Sequence, residues 1–135
     1  MIKIIYGEKG MGKTRILVDA ANKLASDSSG NVVFIDYSNQ LMHELRREIR
    51  FINTSDYPLK EPCGFLGFIC GIIAQDYDIE GIFIDGLTYI LNLKANFLED
   101  FFSDLEEISN RFNVDFHMSV NGSIDEMPDY IKKYI

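Results

Sequence analysis

The sequence predicts an α/β fold in which a parallel sheet of about five strands carries helices on both faces. Five short apolar runs rich in Ile, Val and Phe alternate with stretches of helical periodicity. Most of these runs are continuous, which is typical of strands that are covered on both sides. A glycine-rich turn joins the first run to the first helical stretch. Together these observations favour a three-layer α/β/α sandwich.

Length and composition favour one globular domain that spans residues 1–135. The chain has 135 residues, of which 47% are apolar and 25% are charged. These values exclude the disordered, collagen-like and disulfide-rich classes of protein. Cys63 and Cys70 are seven positions apart, so on a helix their Cα atoms would be about 10.5 Å apart, too far for a disulfide. We interpret both as reduced core residues of a cytoplasmic protein.

The charge distribution bears on possible partners. The formal charge is −8, and it is unevenly spread. Residues 1–60 hold nine basic and seven acidic side chains, whereas residues 61–135 hold four basic and fourteen acidic ones. An acidic half is repelled by nucleic acid and by anionic lipid, so we expect no direct nucleic-acid binding. No apolar run approaches the roughly 18–20 residues that span a bilayer, and we expect no membrane association.

Strands and helices are predicted in alternation along the chain. The predicted strands are Ile2–Tyr6, Val32–Tyr37, Arg50–Asn53, Ile82–Asp85 and Val114–Val120. Apolar residues spaced three or four apart predict helices over Lys13–Ala25, Asn39–Glu48 and Ala95–Phe112. The last of these is the clearest, with an apolar stripe facing an acidic side.

The segment Cys63–Gln75 is apolar nearly all round and contains three glycines. One interpretation is a buried helix whose glycines allow close packing on the sheet, which would offset their cost of roughly 1 kcal/mol each. The other is a contact surface for a protein partner or for self-association. The sequence leaves both open.

The strongest chemical signal is the octapeptide Gly7-Glu8-Lys9-Gly10-Met11-Gly12-Lys13-Thr14. It matches the phosphate-loop pattern G-x-x-x-x-G-K-[ST], and it lies between a predicted strand and a predicted helix, as that pattern requires. Glycines let the backbone N–H groups approach phosphate oxygens, and the positive end of the helix dipole adds to the attraction. Lys13 supplies a positive charge for the β- and γ-phosphates, and the Thr14 hydroxyl suits Mg²⁺. We assign nucleotide binding to all eight residues.

With this loop, the chain resembles the P-loop NTPases. Ile82-Phe83-Ile84-Asp85 is similar to the Walker B pattern of that superfamily, which implies that Asp85 shares the Mg²⁺ ion with Thr14. The predicted strand Val32–Tyr37 lies between the loop and Walker B, and the predicted strand Val114–Val120 follows Walker B, as in the RecA-like (ASCE) branch. The resemblance implies that this last strand inserts between the other two and ends in a polar sensor of the γ-phosphate, either Ser119 or Asn121.

The chain departs from this family at the position of the catalytic base. Many relatives place a glutamate directly after the Walker B aspartate, where this chain has Gly86. RecA-type recombinases place one just past the second strand, where Ser38 follows Tyr37. Asp36 and Glu8 are the remaining candidates, so turnover should be slow. The chain also lacks the usual additional strands and lids, and it looks like a trimmed, single-domain bacterial ATP-binding protein.

Three functions follow as hypotheses. The first is a slow Mg²⁺-dependent ATPase, in which Lys13, Asp36, Ser119 and Asn121 are the catalytic candidates. We expect ATP over GTP because Asn22-Lys23-Leu24-Ala25 lacks the aspartate of the guanine-reading N-K-x-D motif. The second is a nucleotide-dependent interaction module with little turnover. The third, a small-molecule kinase, is disfavoured because few cations follow Walker B to build a lid.

One basic cluster, Arg46, Arg47 and Arg50, has two interpretations. One of its members could reach a neighbouring subunit or an acidic partner. We favour the alternative, in which the arginines pair with Glu44 and Glu48 on a solvated helix face.

Overall fold

The computed structural model describes residues 1–135. Five strands form one sheet: β1 (Ile2–Gly7), β2 (Asn31–Asp36), β3 (Arg50–Asn53), β4 (Ile79–Ile84) and β5 (Asp115–Asn121). Four α-helices connect them: α1 (Lys13–Asp27), α2 (Pro62–Ala74), α3 (Leu87–Leu91) and α4 (Glu99–Phe112). None of the helices has the length and apolarity that crossing a membrane requires.

The sheet is entirely parallel, with the strand order β1-β5-β4-β2-β3. β5 therefore lies between β1 and β4, as the resemblance to RecA-like proteins implies. The register aligns Gly7 with Asn121 and Ile84 with Met118, so the carboxyl ends of these three strands meet at one edge. The predicted fold class is confirmed, and all five predicted strands form.

Helices cover both faces of the sheet and bury two separate cores. The larger core has 24 buried residues from α2, α3, α4, the sheet and the C-terminal segment. The smaller has nine and lies under α1, where Leu17, Val18 and Ala21 pack against Phe34 of β2 and Phe83 of β4. The continuous apolar strands are explained by this arrangement, since both sides of each central strand are buried.

The predicted helix over Asn39–Glu48 is wrong. The segment is irregular apart from a short 3₁₀ turn at Met42–Glu44. The side chain of Asn22 in α1 donates to the Glu44 carbonyl at 3.0 Å and accepts from the Arg46 N–H at 2.8 Å, so it bonds two main-chain groups of this segment. The apolar residues of the segment are buried nonetheless, because Leu41, Leu45 and Ile49 pack in the smaller core. We call this segment, residues 39–49, the strap.

Because that helix is absent, the arginine cluster is also arranged differently from its prediction. Arg46 and Arg50 do not share a helix face, because Arg50 begins β3. Arg46 pairs with Glu48 at 3.1 Å, with both side chains exposed, and Glu44 pairs with Arg15 of α1. Exposed pairs of this kind contribute little to stability.

The predicted helix over Ala95–Phe112 forms only from Glu99 onward. A 3₁₀ turn occupies Ala95–Phe97, and Leu98 interrupts the helix with φ −111° and ψ 11°. Phe97, expected on the apolar stripe, is therefore 67% exposed, while Leu98 is fully buried.

α2 forms as predicted, but its glycines and cysteines face outward. Phe65, Ile69 and Ile73 are buried, whereas Cys63 and Cys70 on the opposite side are free and exposed. The interpretation of the cysteines as core residues is wrong. A Cβ built at Gly64, Gly67 or Gly71 would have no other atom within 4 Å, so these glycines do not serve close packing. The outward side is instead an uncharged face of small residues, Cys63, Gly64, Gly67, Cys70, Gly71 and Ala74, which we call the α2 outer face.

Replacing Gly67 by Ala should stabilise the fold by up to about 1 kcal/mol, because alanine favours the helix and meets no neighbour. Gly86→Ala serves as the contrast. Gly86 has φ +73°, and a Cβ there would lie 3.0 Å from the Tyr37 ring, so this change should destabilise by about 1–2 kcal/mol. Urea unfolding measures both. A destabilised Gly67→Ala protein would contradict the open-space assignment.

Candidate nucleotide-binding site

A cleft of about 380 Å³ opens at the edge where β1, β5 and β4 end. Its floor is the turn Glu8–Gly12, which joins β1 to the first residue of α1, Lys13. Gly10 and Gly12 have φ of +89° and +84°, a backbone region that residues with side chains avoid. A Cβ at either glycine would meet no protein atom within 4 Å. The bare backbone of this loop therefore borders open space, as a phosphate cradle requires.

Lys13 is held inside this cradle. Its side chain belongs to a residue that is only 7% exposed, and its ammonium donates to the Glu8 carbonyl at 2.7 Å. Burial lowers the pKa of Lys13, an effect that the negative charge of Asp85 opposes. The ammonium thus lies near both the loop and Asp85, where it would interact strongly with a bound polyanion.

Asp85 is the centre of a hydrogen-bonded cluster that joins three elements. The Thr14 hydroxyl, at the start of α1, donates to it at 3.0 Å. The Ser119 hydroxyl, from β5, donates to it at 2.6 Å and accepts from the Gly86 N–H at 2.8 Å. Thr14 and Asp85, predicted as Mg²⁺ ligands from residues 71 apart, are therefore in contact. A hydroxyl beside a carboxylate matches the hard oxygen ligands that Mg²⁺ prefers.

Ser119 and Asn121, the two sensor candidates, both line the cleft but differ in their surroundings. Ser119 is 1% exposed and is bonded to Asp85 and Gly86, so its visible role is to orient the carboxylate. Asn121 is half-buried, and its only side-chain hydrogen bond is a weak one, in which its amide nitrogen donates to the Thr88 hydroxyl at 3.5 Å. Asn121 is therefore the freer of the two to contact a ligand.

Asp36, a candidate base, ends β2 beside this cluster but is not among the side chains that line the cleft. It is 2% exposed, and its carboxylate accepts from the Tyr37 N–H at 2.7 Å. Burial raises the pKa of Asp36 to about 6; the Tyr37 N–H opposes this shift and the charge of Asp85 adds to it. Glu8, the other candidate, is exposed on the loop, where its backbone carbonyl accepts from Lys13.

The structure adds side chains that sequence reasoning missed. Tyr37 and Tyr89, which follow β2 and Asp85 in the chain, line the cleft. Their rings are in contact, with centroids 5.4 Å apart. The Arg15–Glu44 pair closes another part of the rim. Only the chain positions of these side chains could have indicated them from the sequence, because residues just beyond the carboxyl ends of parallel strands lie around one crevice.

The donor set fits a magnesium-bound polyphosphate. Unpaired backbone N–H groups, a buried lysine and a helix N-terminus suit the phosphates, and the Thr14 hydroxyl with the Asp85 carboxylate suits the ion. No cluster of three or more His, Cys, Asp or Glu side chains that could hold a metal is present. The residues therefore fit a hydrated Mg²⁺ that a nucleotide brings with it better than a resident metal.

Comparison with known proteins supports the fold. No protein-family model matches the chain, and no curated protein sequence does. Among solved structures, the flagellar accessory protein FlaH from Methanocaldococcus jannaschii is similar, with a TM-score of 0.61 and 16% sequence identity. The similarity covers 98% of this chain but only 65% of the FlaH chain. The two proteins therefore share a fold over this length, which in this chain is a parallel α/β fold.

Replacing Asp36 by Asn should stabilise the ligand-free protein at high pH. The native pKa of about 6 exceeds the ordinary value of 3.8, so the carboxyl's ionisation destabilises the fold as pH rises through that window. Above it, the variant should be more stable by up to about 3 kcal/mol, the equivalent of two pKa units. Urea unfolding at pH 8 and pH 4.5 tests this.

The gap between Asp36→Asn and wild type should shrink at pH 4.5, where the native carboxyl is protonated. Asp125→Asn, at an exposed site, is the control and should leave stability nearly unchanged at both pH values. An equal gap at the two pH values would show that the effect of Asp36→Asn is not ionisation.

Proposed function

We propose that this chain binds Mg-ATP in the cleft and hydrolyses it slowly. The single observation that carries the proposal is the contact between Thr14 and Asp85 beneath a loop that also buries Lys13. Three residues of distinct chemistry, from two distant parts of the sequence, meet where a β–γ phosphate and its ion would lie.

Each group has a defined task in this proposal. Loop amides and Lys13 hold the phosphates and offset the charge that develops on them. Thr14 and Asp85 hold Mg²⁺, which when bound polarises the terminal phosphate, and Ser119 keeps the Asp85 carboxylate oriented. Asn121 contacts the γ-phosphate. Turnover is slow because the carboxylates that line the cleft, Asp85 and Glu44, are both engaged by other side chains.

The preference for ATP over GTP belongs to the same proposal. In the structure, Asn22 bonds the strap and the Lys23 ammonium lies 3.9 Å from the Asp27 carboxylate, so neither serves the cleft. A guanine-reading arrangement of the N-K-x-D kind therefore finds no support at this position. The kinase alternative is weakened similarly, since the cations of the cleft are Lys9, Lys13 and Arg15, all from the loop and α1.

A second function, a nucleotide-dependent interaction module, is favoured by the α2 outer face. This face carries no charge, although the chain has a net charge of −8. Two such acidic chains repel each other over most surfaces, and an uncharged face avoids that repulsion. In that case nucleotide binding, and not turnover, would be the function, and self-association through Cys63–Gln75 would depend on the bound nucleotide.

Lys13→Ala should abolish the thermal stabilisation that Mg-ATP gives to the wild type. At a ligand concentration one hundred times Kd, that stabilisation amounts to about 2.7 kcal/mol. Lys23→Ala, on the exposed side of the same helix, is the matched control and should respond like the wild type. Thermal unfolding with and without Mg-ATP, and with Mg-GTP, measures both affinity and base preference. Equal shifts in the wild type and Lys13→Ala would remove the site assignment.

Self-association should be lost when a charge is placed on the α2 outer face. Gly67→Lys fits sterically, because no atom lies within 4 Å of its Cβ position. Ser103→Lys, exposed on α4, adds the same charge elsewhere. Light scattering after size exclusion, with and without Mg-ATP, should show a nucleotide-dependent increase in mass for the wild type and Ser103→Lys only. One unchanged monomer mass for wild type in every state would eliminate the interaction module.

A further inference from the structure

Outside the phosphate loop, the lining of the cleft includes an aromatic pair. Three apolar side chains line the cleft, Tyr37, Leu41 and Tyr89, and all three lie outside the loop. The two tyrosine rings are tilted by 36° and are in contact over a 5.4 Å centroid separation. Tyr37 remains 42% and Tyr89 49% exposed, so both rings present a surface to whatever occupies the cleft.

Both rings rest on Gly86, the residue that follows the Asp85 carboxylate. A Cβ at Gly86 would lie 3.0 Å from the Tyr37 ring and 3.5 Å from the Tyr89 ring. With φ +73° this backbone position also disfavours a side chain. The aromatic pair therefore fills the volume in which a side chain at position 86, directly after Asp85, would otherwise lie.

The phenol hydroxyls of this pair form no hydrogen bond within the protein. The hydroxyls of Tyr6, Tyr130 and Tyr134, by contrast, each bond a protein oxygen. Burial, followed by the charges of Asp36 and Asp85, raises the pKa of Tyr37, so its phenol stays protonated near neutral pH. A protonated phenol can cover or orient a nucleophile, but it does not take its proton.

We propose that Tyr37 and Tyr89 form an aromatic cover over the nucleophile side of the terminal phosphate, and that this cover keeps hydrolysis slow. The inference rests on the function proposed above. In hydrolysis a water oxygen bonds to the γ-phosphorus while the bond from that phosphorus to the β–γ bridging oxygen breaks. ADP leaves, and one proton of the water passes to a base or to solvent. Water must arrive in line, from the side opposite the departing ADP. The proposal places the rings on that side, since both follow strand ends and neither belongs to the loop that would hold the phosphates of ADP.

The cover also separates the cleft from a carboxylate. Asp36 is adjacent in sequence to Tyr37 and 2% exposed, and it does not line the cleft, whereas Tyr37 does. With the ring of Tyr37 removed, water gains both access to the γ-phosphate and a route to this carboxylate. The pair thus decides whether the bound nucleotide is retained or hydrolysed.

The test compares ring removal with hydroxyl removal. Phosphate release from Mg-ATP under single-turnover conditions should rise about tenfold or more in Tyr37→Ala and in Tyr89→Ala, because water then reaches the γ-phosphate and a proton acceptor. Tyr37→Phe and Tyr89→Phe keep the rings and should release phosphate several-fold more slowly than the matching alanine variants. Tyr77→Ala, at a 98% exposed site, is the matched control and should match the wild type. Mg-ATP affinity, measured by titration calorimetry, should be retained throughout.

Each outcome separates the two levels of the proposal. If wild type and variants bind Mg-ATP but the alanine variants release phosphate no faster than wild type, the cover is refuted and the nucleotide site stands. If the phenylalanine variants accelerate as much as the alanine variants, the hydroxyls and not the rings restrain turnover, which also refutes it. Absence of Mg-ATP binding to the wild type would remove the proposed function itself. Tyr89→Ala, at a 49% exposed position of the short helix α3, keeps the test decisive if Tyr37→Ala fails to fold.

Discussion

The cleft depends on one short chain of hydrogen bonds, in which a single carboxylate is held from two sides. Thr14 reaches Asp85 from the start of α1, and Ser119 reaches it from β5. This arrangement requires β5 to lie between β1 and β4, because only then does the hydroxyl of Ser119 stand under the phosphate loop. Strand order and loop position together bring Thr14, Asp85 and Ser119 into contact, and a different order of the same strands would separate these groups.

Regular, strongly patterned elements could be predicted from the sequence, and elements shaped by long-range contacts could not. The continuous strands and α1 followed from composition and period. The Asn39–Glu48 segment had the same apolar spacing, but bonds from Asn22 to its backbone and burial of its leucines against α1 replaced the internal bonds of a helix. On α2, the pattern was apolar on every side, so sequence could not show which side faced solvent.

The site followed the same division. The loop and Asp85 were readable because each needs a fixed residue type at a fixed chain position. Tyr37 and Tyr89 were not, because their importance arises from a meeting of two chain segments above Gly86. In the proposed function, binding and catalysis thus depend on different groups of this cleft. The groups that would hold a nucleotide are present, whereas the carboxylates that could accelerate its cleavage are bonded to other side chains or lie behind a ring.

The unequal division of the core has a consequence for how the molecule opens. The face that carries α1 rests on nine buried residues, whereas the opposite face rests on 24. Partial openings start where the least apolar surface must be exposed, so α1 and the strap should exchange their amide hydrogens sooner than α4 or β5. Since the phosphate loop leads directly into α1, occupation of the cleft would slow amide exchange most strongly in the half of the protein that otherwise opens first.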